Sequence, residues 1–209
     1  MINLLNNQYL KNKTSVKFII IKKQDFDVNT IESIFLGLLD NIKIIDVTNA
    51  YLIIYTNKEY VEFRDFYNSI SFDLGYSFNF FEGIKLKTKK IGYLNELVAL
   101  YNKYIYSKQN DYYSIRDIIL KCNDEELELV SDIIYEKEDL NDFKKFASGL
   151  FECDLNVSKA SKVLYMHRNT INNKIDNFKN ETGLRLSRFN DAVVVYRLCK
   201  LHIDSKENK

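Results

Sequence analysis

The sequence predicts an α+β protein in which a segment of alternating strands and helices precedes a segment made only of helices. Between about residues 15 and 106, short runs rich in β-branched residues alternate with stretches whose apolar residues recur at helical spacing. After about residue 114 the apolar residues recur at helical spacing only. We therefore expect an amino-terminal extension at 1–14, a mixed domain at 15–106, a polar linker at 107–113 and a helical domain at 114–209.

The mixed domain is predicted to contain four strands and three helices. The strands are expected at 16–21, 42–47, 51–55 and 76–80, the last extending towards residue 86, and the helices at 28–39, 63–70 and 94–105. A link through Thr48, Asn49 and Ala50 suits a hairpin between the two middle strands. The order β-α-β-β-α-β is that of the split βαβ, or ferredoxin-like, fold. That fold has many functions, so the fold alone does not assign one.

Composition excludes several classes of protein. The chain is 46% hydrophobic and 28% charged, which is typical of a globular protein with a packed core. No apolar run approaches the roughly 18–20 residues that span a bilayer, and the amino terminus lacks a signal-peptide pattern, so we expect a cytoplasmic protein without membrane contact. The three cysteines lie far apart and only two histidines accompany them, so we expect no metal site and no cofactor.

Charge is distributed unevenly, although the whole chain carries only +1. Residues 107–154 contain 6 basic and 13 acidic residues, whereas residues 155–209 contain 11 basic and 5 acidic residues. An acidic block followed by a basic carboxyl-terminal segment indicates a polyanionic partner for that segment.

The basic segment contains the pattern of a helix-turn-helix at 156–183. Asn156 is suited to cap a short first helix, and Gly183 is suited to end the second helix with a left-handed cap. The second helix, 168–182, has an apolar face for packing, made of Ile171, Ile175 and Phe178. Its opposite face carries the polar residues Asn169, Asn172, Asn173, Asp176 and Asn180. Amides on such a face are able to hydrogen-bond base edges in the major groove.

The segment closely resembles the carboxyl-terminal helix-turn-helix of the PucR/CdaR family of bacterial transcription regulators. The run from Asn156 to Ile171, which ends in His-Arg-Asn-Thr-Ile, matches the core of the family almost position for position, and Thr182-Gly183 and Asp191-Ala192 follow. The resemblance implies an all-α, Fis-like helix-turn-helix domain that binds double-stranded DNA. The chain departs from the family at Asp176 and at Asn173-Lys174, where a Tyr-Arg pair is common.

The resemblance implies roles for individual residues. Base contacts are expected from Arg168, Asn169, Asn172 and Asn173 on the recognition helix. Phosphate contacts are expected from Ser158, Lys159, Thr170, Lys174 and Arg185. His167 is expected to cap or pack at the turn, while Asn156 and Gly183 cap helix ends.

Residues 15–106 resemble a degenerate GGDEF-like domain, which often precedes this helix-turn-helix in the family. The signature turn of an active diguanylate cyclase would fall near Val47–Tyr51, where the chain has Val-Thr-Asn-Ala-Tyr and lacks the paired glycines and the acids that hold metal and triphosphate. We therefore expect that the protein is not an enzyme and has no catalytic residue. This domain is expected to serve dimerisation or to sense a small-molecule effector or a partner regulator.

The leading hypothesis is a homodimeric DNA-binding transcription regulator, because one recognition helix covers few base pairs and twofold pairing adds affinity. A second hypothesis is a non-catalytic interaction module that modulates another regulator, with the acidic segment 107–154 as its docking surface. A third, an enzyme acting on nucleotides through residues 15–106, is disfavoured by the missing acidic turn. The sequence leaves open the effector, the operator and the direction of regulation.

Overall fold

The computed structural model describes residues 7–24, 26–57, 61–135 and 137–207. The chain divides into two compact units, Met1–Ile118 and Ile119–Lys209. In the described part of the extension predicted at 1–14, residues Asn7–Leu10 form a short helix, α1. The first six residues of that extension and the last two residues of the predicted helical domain lie outside the described residues.

The elements of the first unit follow the predicted order closely. The strands are β1 (Ser15–Lys22), β2 (Asp40–Val47), β3 (Ala50–Thr56), β4 (Phe80–Glu82), β5 (Leu86–Lys87) and β6 (Tyr112–Ser114). The helices are α2 (Val28–Phe35), α3 (Phe63–Leu74), α4 (Leu94–Tyr104) and α5 (Ile115–Ile119), and a 3-10 helix spans Thr88–Tyr93. Asp27 caps α2, since its Oδ1 accepts a hydrogen bond from the Thr30 N–H at 2.7 Å.

The sheet has the strand order β2-β3-β1-β4-β6, and β5 also pairs with β1. Strand β1 is antiparallel to both β3 and β4, with Ile19 opposite Ile53 on one side and Glu82 on the other. Strands β2 and β3 form an antiparallel hairpin. Helix α2 connects β1 to β2 and helix α3 connects β3 to β4, and in neither case are the two connected strands neighbours in the sheet. The predicted ferredoxin-like order is confirmed, and β6 extends the sheet as a parallel neighbour of β4.

The core of the first unit lies between one face of the sheet and helices α2 and α3. Because side chains alternate along a strand, Ile19 and Ile21 of β1 share this face with Ile53 and Tyr55 of β3. The helices contribute Ile31, Phe35, Phe63 and Tyr67. These side chains are all nearly inaccessible to solvent. Phe18 and Ile20, on the other face of β1, are buried as well, and burial on both faces accounts for the long apolar runs in the sequence.

The strand predicted at 76–80 is shorter and later in the structure. Residues 76–79 form no strand, and β4 is followed at once by Gly83, whose N–H donates to the Phe18 carbonyl at 3.0 Å. Asn79 is fully buried, and its Oδ1 accepts a hydrogen bond from the Tyr101 hydroxyl at 2.9 Å. Alternation of aromatic residues could not reveal this contact, because its partner lies 22 residues away. Helix α2 likewise ends earlier than predicted, before the left-handed Gly37.

The segment predicted as a linker, 107–113, ends inside the sheet. Tyr112 and Tyr113 belong to β6 and lie opposite Phe80 and Phe81 of β4. The rings of Tyr112 and Phe80 stack with centroids 5.8 Å apart, and the Tyr112 hydroxyl donates to the buried carboxylate of Glu82. Tertiary contacts therefore recruit the end of a polar segment into the sheet.

The second unit consists of helices and turns in its described residues, as predicted. Its helices are α6 (Asp124–Ile134), α7 (Lys137–Glu152), α8 (Val157–Val163), α9 (Arg168–Thr182) and α10 (Phe189–Glu207). A capping box begins α6, where Asn123 and Glu126 each accept a hydrogen bond from the backbone N–H of the other. Helix α10 packs on α6 and α7, and α8 packs on α7 and α9. Throughout the described ranges, every helix is too short or too polar to cross a bilayer.

We expect Gly83→Ala to destabilise the first unit by about 1–3 kcal/mol. A Cβ at this position would lie 2.3 Å from Cζ of Phe18, which is buried and cannot move without disturbing the core. Urea unfolding followed by circular dichroism measures the loss. Gly92→Ala is the matched control, because a Cβ there meets nothing within 4 Å and the stability should not fall. Equal stability of the two variants would contradict the close packing of Gly83.

Candidate nucleic-acid interface

The first helix of the candidate interface, α8, is fixed at its start by Asn156. The Oδ1 atom of Asn156 accepts hydrogen bonds from the N–H groups of Ser158 and Lys159 at 3.0 and 3.1 Å. At the other end, the chain reverses through Tyr165, which is 95% exposed and has a positive φ of 54°. The Met166 N–H then donates to the Ser161 carbonyl at 3.1 Å and closes the turn.

Helix α9, the second helix of the predicted helix-turn-helix, has a defined cap at both ends. His167 occupies the amino-terminal cap position, and its Nδ1 accepts from the Asn169 N–H at 3.2 Å. At the carboxyl end, Gly183 is left-handed with φ +76°, which favours glycine. The buried Thr182 hydroxyl donates to the Phe178 carbonyl at 2.8 Å and accepts from the Leu184 N–H at 3.1 Å. The bounds of α9 are therefore set by residues at or next to its two ends.

The two faces of α9 differ in the way the helical spacing predicts. Ile171 and Phe178 are buried and Ile175 is half-buried, so this face packs into the second unit. The opposite face is exposed at Asn169, Asn172, Asn173, Asp176 and Asn180, and Arg168 in the first turn is exposed as well. All four residues predicted to contact bases are therefore accessible, and the three asparagines among them belong to the face opposite Ile171.

The residues predicted to contact phosphate are accessible to different degrees. Ser158 and Thr170 are exposed, and a guanidinium nitrogen of Arg168 lies 3.5 Å from the Ser158 hydroxyl, which brings the starts of α8 and α9 together. Lys159 is also exposed, but its Nζ lies 3.6 Å from a carboxylate oxygen of Asp154.

The other two predicted phosphate ligands lie further along the chain. Lys174 is exposed and its Nζ sits 5.6 Å from the centre of the Phe146 ring. Arg185 is half-buried, and its backbone N–H donates to the Asp191 carboxylate at 2.9 Å. The ammonium groups of Lys159 and Lys174 therefore each have a contact within the second unit.

Helix α9 rests on an aromatic cluster, defined here as Tyr135, Phe143 and Phe178. Phe178 stacks on Phe143 with ring centroids 4.7 Å apart, and Tyr135 lies 4.8 Å from Phe143 and 6.3 Å from Phe178. Burial raises the pKa of the Tyr135 hydroxyl well above its ordinary value. Aromatic stacking of this kind adds to the stability gained from area burial, so the cluster holds α9 in place.

Two charged residues, Asp191 and Arg197, have a structural role that the sequence did not predict. The buried Asp191 accepts the Arg185 N–H and so fixes the turn between α9 and α10, which gives the family-like Asp191-Ala192 pair a packing role. Arg197 donates to the carbonyls of Ile119 and Cys122, the latter at 2.6 Å, and ties α10 to the start of α6. A lone arginine among apolar residues of α10 was the available signal, but its partners lie more than seventy positions away.

Cys199 gives the second unit a predicted dependence on alkaline pH. Burial raises the pKa of this thiol to about 11 from an ordinary value of 9.0. The unfolded chain loses the proton first, so stability is complete below pH 9 and decreases as the pH rises through about 11. We expect this residue to account for on the order of 1–2 kcal/mol of that decrease.

Urea unfolding of the wild type and of Cys199→Ala at several pH values between 8 and 11 measures the effect. The substitution lowers stability at every pH through lost packing, so the comparison is between slopes. The variant should show the shallower decrease. Identical slopes would show that the thiol ionises alike in the folded and unfolded chain.

Within the described part of the chain, no group of three or more histidine, cysteine, aspartate or glutamate side chains is arranged to hold a metal ion. Cys122, Cys153 and Cys199 are all buried free thiols.

Comparison with known proteins agrees with this geometry in the second unit. Residues 147–201 match the profile of the PucR C-terminal helix-turn-helix domain. None of the curated proteins matches the chain. The crystal structure of the regulator of polyketide synthase expression from Bifidobacterium adolescentis aligns with 96% of this chain and 83% of its own, at 10% identity and a TM-score of 0.40. The profile match supports a role in transcription regulation. Residues 147–201 of this chain therefore form a helix-turn-helix domain of the PucR C-terminal type.

Proposed function

We propose that the protein is a sequence-specific, DNA-binding transcription regulator that acts as a cytoplasmic homodimer. In this proposal α9 lies in the major groove, with its first residues at the base edges. A bacterial regulator meets its DNA in the cytoplasm, which is the reason for that location.

The observation that carries the proposal is the two-sided character of α9. One face is held by Ile171 and Phe178, while the opposite face presents Asn169, Asn172 and Asn173 to solvent. Asparagine is a poor residue for a helix interior, so three of them on one short face cost stability. Their amides are able to pair in a bidentate manner with adenine, and the adjacent Arg168 is able to pair with guanine. A helix face that contacts only solvent does not require side chains that pair with base edges.

The first unit is proposed to serve dimerisation or to sense an effector or a partner regulator. Its ferredoxin-like strand order supports a GGDEF-like origin. The β2–β3 hairpin turns at Thr48 and Asn49, where an active cyclase would need paired glycines and acidic residues. A non-catalytic role, in dimerisation or in sensing, fits that turn.

Fluorescence anisotropy with the full chain tests the proposal directly. Labelled DNA tiles from upstream of the gene are titrated at two salt concentrations, with a shuffled sequence as control. Tighter binding to one tile, weakened by salt, is the expected result, because released counterions drive the phosphate contacts. Equal binding to every tile and to the shuffled control would contradict sequence-specific recognition. The absence of binding at either salt would instead favour a module that modulates another regulator.

A further inference from the structure

We propose that the Tyr165 hydroxyl, in the turn between α8 and α9, donates a hydrogen bond to a DNA phosphate at the edge of the major groove. This contact deepens the proposed function and rests on DNA binding by α9. Tyr165 is not among the residues that the sequence predicts to contact DNA. Its backbone conformation and its exposure are the two observations that indicate the role.

Tyr165 occupies a backbone position that ordinarily belongs to glycine. Helix α8 ends at Val163, and the Met166 N–H donates to the Ser161 carbonyl at 3.1 Å, which is the wide hydrogen bond of a Schellman motif. The residue before the donor in that motif is left-handed, and Tyr165 has φ +54°. A residue with a side chain is strained in this conformation, because its Cβ lies too close to a backbone carbonyl oxygen.

The same chain has glycine at the left-handed ends of two longer helices. Gly75 follows α3 with φ +71°, and Gly183 follows α9 with φ +76°. At the end of α8 the chain has tyrosine instead. The strained tyrosine therefore costs stability that glycine would spare.

Packing within the protein does not offset this strain. The Tyr165 side chain is 95% exposed, whereas Leu155, which is also left-handed with φ +61°, is half-buried. An aromatic ring adds stability where it covers apolar surface, and an exposed ring covers almost none. A strained residue whose side chain projects into solvent indicates a function outside its own domain.

The turn lies beside the residues that are proposed to enter the groove. It leads directly into α9, and His167 and Arg168 next to it are exposed. With the first residues of α9 at the base edges, the turn before them lies at the edge of the groove, where the phosphates are. Tyrosine suits this place, because its hydroxyl donates to a phosphate oxygen while its ring packs on the adjoining sugar.

A neutral phosphate ligand has a signature that differs from those of the other residues at the interface. Phosphates are present at every step of DNA, so loss of the hydroxyl weakens binding to operator and shuffled DNA alike, in contrast to loss of Arg168. The hydroxyl carries no charge and displaces no counterion, so the salt dependence stays unchanged, in contrast to loss of Lys174.

Tyr165→Phe in the full chain is the first test, because it removes the hydroxyl and keeps the ring. Fluorescence anisotropy at several salt concentrations should show binding weakened about tenfold on both operator and shuffled DNA. The slope of affinity against salt should match that of the wild type. Full affinity in the variant would overturn the proposal. A loss confined to the operator would assign the hydroxyl to a base edge and contradict the phosphate contact.

Tyr165→Gly tests the strain and the DNA contact in one variant. Glycine adopts the left-handed conformation freely, so the urea midpoint of the second unit should not fall, while DNA binding weakens at least as much as in Tyr165→Phe. A lower midpoint would show that the ring stabilises its own domain and would refute the proposal. Phe72→Ala is the control, since this ring is 86% exposed on α3 and DNA binding should not change. An equal loss in the control would refute a specific role for Tyr165.

Protection from nitration locates the contact without any substitution. Trypsin releases residues 163–168 as one peptide, in which Tyr165 is the single tyrosine. Bound DNA should slow nitration of this peptide, as measured by mass spectrometry. Tyr76 is 46% exposed in the first unit and serves as the control whose nitration should not change. Nitration of Tyr165 at the same rate with and without DNA would contradict the contact.

The outcomes separate this contact from the proposed function. A wild type that prefers the operator, together with a Tyr165→Phe variant of full affinity, would overturn the contact and leave the regulator standing. Equal wild-type binding to all sequences, weakened by Tyr165→Phe, would support the contact and contradict sequence-specific regulation. A wild type that binds no DNA would overturn both.

Discussion

Arg168→Ala is expected to weaken binding to the operator by about 1–3 kcal/mol, roughly fivefold to 150-fold, while binding to random DNA changes little. Arg168 begins the recognition helix and its side chain is exposed, with one guanidinium nitrogen 3.5 Å from the Ser158 hydroxyl. That distance is a weak contact, so the fork is available to pair with a guanine edge. Anisotropy titrations with operator and shuffled DNA measure the two affinities.

Lys174→Ala is the matched comparison for Arg168→Ala. The Lys174 ammonium lies on the flank of α9 near the Phe146 ring and is predicted to contact phosphate. Its loss should weaken binding to all sequences alike and reduce the dependence on salt. Arg168→Lys should fail to restore the operator preference, because lysine keeps the charge but not the planar fork. Equal losses on operator and random DNA for both alanine variants would contradict the assignment of a base-contacting residue.

Phe178→Ala is expected to destabilise the second unit by about 3–5 kcal/mol, the largest effect that we predict for stability. The ring is only 6% exposed and stacks on Phe143 and Tyr135, so truncation leaves a cavity under the recognition helix. Urea unfolding of the full chain, followed by circular dichroism, measures the change. Operator binding should weaken in parallel as α9 loses its support.

The neighbouring Asn177→Ala is the control for Phe178→Ala. Asn177 is exposed on the same helix, and alanine is the better helix former, so stability should be unchanged or slightly higher. A loss of less than about 1 kcal/mol for Phe178→Ala would show that the aromatic cluster does not carry the packing of α9. A large loss for both variants would show that α9 is marginal for reasons other than this cluster.

Much of the fold was accessible from local patterns. Strands β1 and β3 follow from runs such as Val16–Ile21, because a strand buried on both faces needs apolar residues at every position. The ends of α9 follow from His167 and Gly183, since caps act within a few residues of the helix terminus. The face of α9 likewise follows from its period of 3.6 residues. The profile match to residues 147–201 confirms the family resemblance of this segment.

Other features depended on residues far apart in the chain. The polar segment at 107–113 gave no sign that Tyr112 would stack on Phe80 and donate to Glu82, thirty residues earlier. The alternating aromatics from Tyr76 predicted a strand, yet the buried Asn79 is held by Tyr101 instead. In both cases a long-range partner outweighed the local pattern, because a buried polar group must find a hydrogen bond wherever one is available.

The sequence by itself determined the α+β class, the helix-turn-helix and the residues on its exposed face. Those properties depend on periodicity and capping, which act between residues at most four or five positions apart. Only the tertiary structure decided that Arg197 ties α10 to the start of α6, that the Lys174 ammonium lies near the Phe146 ring, and that Phe151 lines one groove with Phe189 and Val193. Such contacts form only when distant segments pack together, and the energy of that packing is not encoded in any short stretch of the chain.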